Sequence, residues 1–168
     1  MKNKKSFINR IYREKDIKKI DAKINQFGVS KKFTTEYFMN FRLFTSIIVF
    51  VVLFIFADFG ALIAPVATVL WYILVGYFMI DKPLKKRERK LDNEAYYYFE
   101  VLTLALESGR NLENAIKMAC KYIDSEISSE FKETIKQVNF GKSLTESLSV
   151  MSMRIPSLTI NNIILNME

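Results

Sequence analysis

Between Arg42 and Asp81 runs an apolar stretch, Leu43 to Ile80, whose only charged residue is Asp58. As one α-helix these roughly 38 residues would be about 57 Å long, nearly twice a hydrocarbon core of about 30 Å. One span cannot use it all. The stretch divides at Ala57-Asp58-Phe59-Gly60, where a carboxylate and a glycine stand between two apolar runs. An aspartate at the bilayer centre costs about 2.5 to 3.5 kcal/mol on insertion scales, whereas at a polar turn it costs little. The expectation is a helical hairpin. Its first arm is Leu43 to Phe56; its second is Ala61 to Ile80, with Pro65 near the start, where a missing N–H does least damage, and Trp71, Tyr72 and Tyr77 further along.

The flanks set the expected orientation. Basic residues from Lys2 to Arg42 precede the hairpin, Lys82, Lys85, Lys86, Arg87, Arg89 and Lys90 follow it, and the turn has none. The positive-inside rule then puts both ends in the cytoplasm. A single span with a re-entrant arm is the competing topology, and it would leave one basic flank outside. The expected location is the cell (inner or plasma) membrane, multi-pass, with both termini cytoplasmic and anionic lipid at the basic flanks.

Composition divides the 168 residues three ways. Residues 1–42 read as a basic cytoplasmic leader, 43–80 as the transmembrane hairpin and 81–168 as a cytoplasmic helical domain. The net charge of +7 hides an asymmetry. All the excess lies at or before Lys90; from Leu91 onward Asp92, Glu94, Glu100, Glu107, Glu113, Asp124, Glu126, Glu130 and Glu133 give an acidic balance. A lone cysteine, Cys120, excludes an intrachain disulfide, as expected in a reducing cytosol. The chain has no histidine, which removes the commonest metal ligand and the commonest neutral-pH general base. No secretory signal is expected, because about 42 residues precede the apolar run without a convincing cleavage site.

Within the leader, Phe7 to Phe27 reads as a basic amphipathic helix. Ile8, Ile11 and Tyr12, then Ile17, Ile20, Ile24 and Phe27 recur at helical spacing, and Gly28 supplies a stop. Such a helix lies in the headgroup region or packs on the soluble domain; the sequence leaves both open.

After Lys90 four amphipathic helices follow. The first stripe is Leu91, Ala95, Tyr98, Phe99, Leu102, Ala105 and Leu106, ending at Ser108-Gly109. Asn111 caps the second, with Leu112, Ala115, Ile116, Ala119, Cys120 and Ile123 on one face. Asp124 and Ser125 are cap candidates for the third, which places Ile127, Phe131, Ile135 and Val138 together and ends at Gly141. Ser143-Leu144-Thr145-Glu146 is a capping-box pattern for the fourth, which buries Leu144, Leu148, Met151 and Ile155 before Pro156. Ser157 starts a fifth helix, expected to have little partner. Gly109-Arg110-Asn111-Leu112 and Gly141-Lys142-Ser143-Leu144 echo one another as tight turns between helices. The expected fold is therefore all-α: a transmembrane hairpin followed by an antiparallel helical bundle.

Few motifs suggest chemistry. Gly141-Lys142-Ser143 resembles the end of a phosphate-binding loop, but Lys136 stands where that loop needs glycine and the preceding element is helical. Lys85 to Lys90 directly follows an apolar span, so it reads as a cytoplasmic anchor and not as a nucleic-acid site. Asp58 reads as an outer turn residue and not as a proton carrier. Tyr98 is expected in the core, with Tyr96 and Tyr97 at an interface or exposed, and Cys120 as a small buried hydrophobe. No catalytic, cofactor-binding or metal-binding residue is assigned, no cofactor is expected, and the chain is read as a non-enzyme.

From Leu91 onward the pattern resembles the type II secretion F domain of the inner-membrane platform proteins of type II secretion, type IV pilus and tight-adherence (Tad) pilus systems. The matching residues are Leu106-Glu107-Ser108-Gly109-Arg110-Asn111-Leu112 with Ala115 beyond, Phe140-Gly141-Lys142-Ser143-Leu144 with Leu148, and Met153-Arg154 before another helix. Two membrane helices ahead of one such domain look most like the Tad branch. The resemblance covers roughly residues 82–168. It implies a platform protein without catalysis of its own, coupling a secretion or pilus ATPase to the extraction and assembly of pilin subunits, as a homo-oligomer or with a paralogous platform protein. It also implies further spans beyond this domain, so 81–168 is expected to be an incomplete F-type domain. The alternative is a membrane-anchored helical interaction or signalling module with no filament role.

Overall fold

The computed structural model describes residues 13–28, 34–56 and 60–167, and these are helical with no strand among them. The helices are α1 (Glu14–Asn25), α2 (Thr35–Phe56), α3 (Gly60–Gly76), α4 (Lys82–Glu107), α5 (Leu112–Tyr122), α6 (Glu126–Asn139), α7 (Leu144–Ser152) and α8 (Leu158–Leu165), with a π turn at Tyr77–Asp81 between α3 and α4. They fall into two compact units. One holds residues 14–24 and 34–83, the other residues 25–28 and 84–167.

In the first unit α2 and α3 pack along each other. Among the described residues two helices are long and apolar enough to cross a membrane, and only 17% of the most apolar window of each is buried within the protein. α2 has 22 residues, about 33 Å, against a hydrocarbon core of about 30 Å. It begins at Thr35 and not at Leu43. The reason is a local cap: the Thr34 hydroxyl accepts the Tyr37 N–H at 3.3 Å, and Glu36 sits in the first turn, where a carboxylate suits the helix dipole. Pro65 lies inside α3 and not in its first turn, so one main-chain bond is missing there. The hydroxyls of Ser46 and Thr68 bond back to Arg42 and Ala64 carbonyls, which hides their polarity within the apolar helices.

The described part of the leader helix, α1, is tied to this first unit. Asp21 accepts the Thr35 hydroxyl at 2.6 Å, Lys23 pairs with Asp81 at 2.5 Å, and Ile24 is fully buried. Phe7, Ile8, Ile11 and Tyr12, like the Asp58 turn, lie outside the described residues.

The second unit is the bundle. Leu91, Ala95, Tyr98, Leu102 and Ala105 of α4 join Ile116, Ala119, Ile127, Phe131, Leu148 and Met151 in one core. At its centre the Tyr98 and Phe131 rings stack at 4.7 Å, and Phe99 meets both edge-on. α4 starts at Lys82 and not at Leu91, so Lys85 to Lys90 are helical. α8 is better seated than its sequence suggests, since Ile160 and Ile164 are both fully buried in the core.

The turns follow their punctuation. At the end of α6, Gly141 takes φ +96, its N–H bonds the Val138 carbonyl and the Lys142 N–H bonds the Gln137 carbonyl, the paired bonds of a Schellman motif. Asn111, Ser125, Ser143 and Ser157 each accept a main-chain N–H at the head of the next helix.

A buried ion network as candidate functional site

Three segments of the second unit converge on Arg87 of α4. Its Nε donates to Glu126 Oε1 at 2.6 Å, its Nη2 to Glu130 Oε1 at 2.8 Å, and its Nη1 to the Arg154 carbonyl at 2.8 Å and to the Gln26 carbonyl. Glu130 is shared, because Arg154 Nε donates to its other oxygen at 2.9 Å. The side chains of Arg87 and Glu130 are 7% and 1% exposed. Ions this deep are tolerable only when each is paired and hydrogen-bonded, as both are here.

The rim of the network adds Lys90 and Glu94. Lys90 donates to Glu126 Oε2 at 3.0 Å, and Glu94 accepts the main-chain N–H groups of Glu126 and Ile127 at 2.8 and 3.2 Å. Glu94 thus occupies the N-terminus of α6, where unpaired N–H groups and the helix dipole favour a carboxylate. Burial alone would raise the pKa of Glu126, but hydrogen bonds from Lys90 and Arg87 outweigh it and hold the carboxyl below the ordinary glutamate value. The same contact with Glu126 raises Lys90.

Gly28 explains how residues 25–28 fit. It takes φ +63, and a Cβ there would collide with Glu130 Oε1 and Arg87 Nη2. Only glycine both adopts this conformation and leaves space for the ion pair. The network therefore joins residues 25–28 to α4, α6 and the end of α7.

Nearby lies a second buried polar cluster. Tyr98 Oη and Cys120 Sγ are 3.3 Å apart, and Cys120 Sγ points to the Ser128 carbonyl at 3.6 Å. Burial pushes the Tyr98 phenol well above its ordinary pKa, so it stays protonated. In the first unit Arg42 stacks on the Tyr72 ring at 3.7 Å and lies 5.4 Å from the Phe38 ring, while its Nη2 bonds the Tyr72 hydroxyl. That aromatic clasp lets a cation sit seven residues into an apolar helix.

Several sequence expectations meet this geometry directly. Tyr98 and Cys120 are core residues, while Tyr96 and Tyr97 are 81% and 60% exposed. Lys142 and Ser143 form an exposed turn and a helix cap. Arg87 departs from the reading of Lys85 to Lys90 as a membrane border: its neighbours Lys85, Lys86, Arg89 and Lys90 are exposed, but Arg87 is turned into the bundle. Its acidic partners were not singled out either. The signal was present in Glu126 and Glu130, four residues apart on one helix face beside the apolar Ile127 and Phe131.

Among the described residues no group of three metal-ligating side chains comes together. The carboxylates of the network are held by cations, an arrangement suited to fixing segments against each other. No family model, curated protein or solved structure matches the chain.

Proposed function

We propose that this chain is a membrane-anchored platform protein of the type II secretion F kind, most like the Tad branch, coupling a cytoplasmic ATPase to pilin extraction and protein secretion. The observation that carries the reading is the pairing of two largely uncovered apolar helices with a compact helical bundle. Phe44, Ile47, Ile48, Val66, Val69 and Ile73 all present their side chains outward, as lipid-facing positions do. The bundle supplies a surface on which force can act, because its helices are tied by a buried ion network as well as by an apolar core.

In this reading the hairpin crosses the membrane with both flanks on the cytoplasmic side, and anionic headgroups meet the lysines there. The partners are a hexameric secretion or pilus ATPase, pilin subunits, and further copies or a paralogous platform protein. Photo-crosslinking from the exposed positions Tyr97 and Tyr122, in membranes containing both proteins, tests it. Adducts with the ATPase are expected. Adducts only with unrelated proteins, together with normal filaments after deletion, would replace it with a membrane-anchored interaction module.

A further inference from the structure

Between α4 and α8 the bundle has an open groove of about 580 Å³. Tyr96, Phe99, Ile160 and Ile163 give it an apolar lining, Asp92 and Glu100 stand on its rim, and no cation lines it. A polar contact ties the start of α8 to α4 beside the groove: Asp92 accepts the Ser157 hydroxyl at 2.5 Å, and Ser157 in turn caps α8. α8 itself carries no charge from Leu158 to Leu165. Among the described residues Glu100 is exposed and forms no ion pair.

The same bundle carries the matching shape. At the turn between α6 and α7, Phe140 is 80% exposed, and Gly141 beside it has open space where a side chain would be. Lys136 and Lys142 stand four residues before and two after Phe140, and their own carboxylate contacts, to Glu133 at 3.9 Å and Glu146 at 4.0 Å, are at the outer limit of an ion pair. An aromatic knob between lysines and an aromatic groove between carboxylates are complementary in shape class and in charge.

We propose that the bundles associate head to tail, Phe140 of one copy entering the α4–α8 groove of the next, with its lysines facing Asp92 and Glu100. Knob and groove are different surfaces, so the contact is heterologous: it closes into a ring if the rotation between copies permits and otherwise builds a row. Each contact is small, and confinement to a membrane supplies the effective concentration that makes small repeated contacts count. The proposal rests on the membrane anchorage of the platform reading but not on its filament role, since it concerns copies of this chain alone.

The test uses two differently tagged full-length chains co-reconstituted in zwitterionic vesicles and treated with a short bis-maleimide. A copy carrying Glu100→Cys mixed with one carrying Lys142→Cys is expected to cross-link about tenfold more than either variant mixed with itself. Adding Phe140→Asn, a polar residue suited to a helix end, to the Lys142→Cys copy should bring the yield down to the same-site level. Without cross-linker, Lys142→Glu should reduce co-purification of the two tagged copies, and Lys142→Glu with Glu100→Lys in the same chain should restore it. Equal cross-linking in every pairing, no effect of Phe140→Asn, or no rescue by the charge swap would each overturn the proposal. None of these readouts involves an ATPase or a filament, so failure here is separate from failure of the platform reading.

Discussion

Arg87 illustrates how one residue can belong to a local pattern and to a distant structure at once. In sequence it is one base in a basic run beside an apolar span; in the folded chain it meets acids 39 and 43 residues away. Charge runs report local composition, whereas burial depends on which helix face turns inward, and that face was marked only by its neighbours Leu91 and Ala95. Removing one partner leaves the other charged and buried. Arg87→Met is therefore expected to destabilise the bundle by about 3 to 5 kcal/mol, against less than about 1 kcal/mol for the exposed Arg89→Met, as read by denaturant unfolding of the purified chain. Glu126 supplies the pH dependence. Its carboxyl is held below its ordinary pKa in the folded chain, so the stabilisation it contributes is present above that ordinary value and is lost as pH falls through the lowered one. Lys90 works in the opposite sense, contributing below its ordinary pKa and losing the contribution as pH rises through the raised value. Melting curves across the acid range should show a steep loss of stability in the native chain and a shallower one in Glu126→Gln.

At the scale of elements, helix starts and stops were the most legible features. Asn111, Ser125, Ser143 and Ser157 all cap as their positions suggest, and the apolar stripes of α4 to α7 supply the core except at their ends, where Leu106 is exposed and Val138 lies outside it, because caps and periodicity act within a single helix. Boundaries set by less obvious groups were harder to read: Thr34 starts α2 well before the apolar run, and α4 absorbs the basic run. The seating of α8 depends on Ile160 and Ile164 finding a site built by other helices, and no spacing within the segment reveals that. Ser143→Ala should cost about 1 kcal/mol of bundle stability, the usual value of a lost hydroxyl cap. Gly28→Ala should cost more than Gly109→Ala. Both force alanine into a left-handed conformation, but only at Gly28 does the added methyl strike Arg87 and Glu130. Thermal unfolding of the two variants side by side gives that order or refutes it.

For the molecule as a whole, a unit with two apolar helices and a charged helical bundle unit are encoded in one chain, and the residues ahead of the apolar helices divide between the two. The uncovered apolar surface of α2 and α3 is what a bilayer would cover, and the platform reading puts the lysines on either side at its cytoplasmic face. A platform role depends most on that arrangement, because a bundle on the wrong side of the membrane has no ATPase to meet. The most direct measurement is cysteine accessibility in intact cells, with a membrane-impermeant maleimide, of the full chain carrying Asp58→Cys or Tyr97→Cys. A membrane hairpin with cytoplasmic flanks predicts labelling of Asp58→Cys from outside and of Tyr97→Cys only after lysis. External labelling of Tyr97→Cys, or labelling of both positions only after lysis, would contradict it.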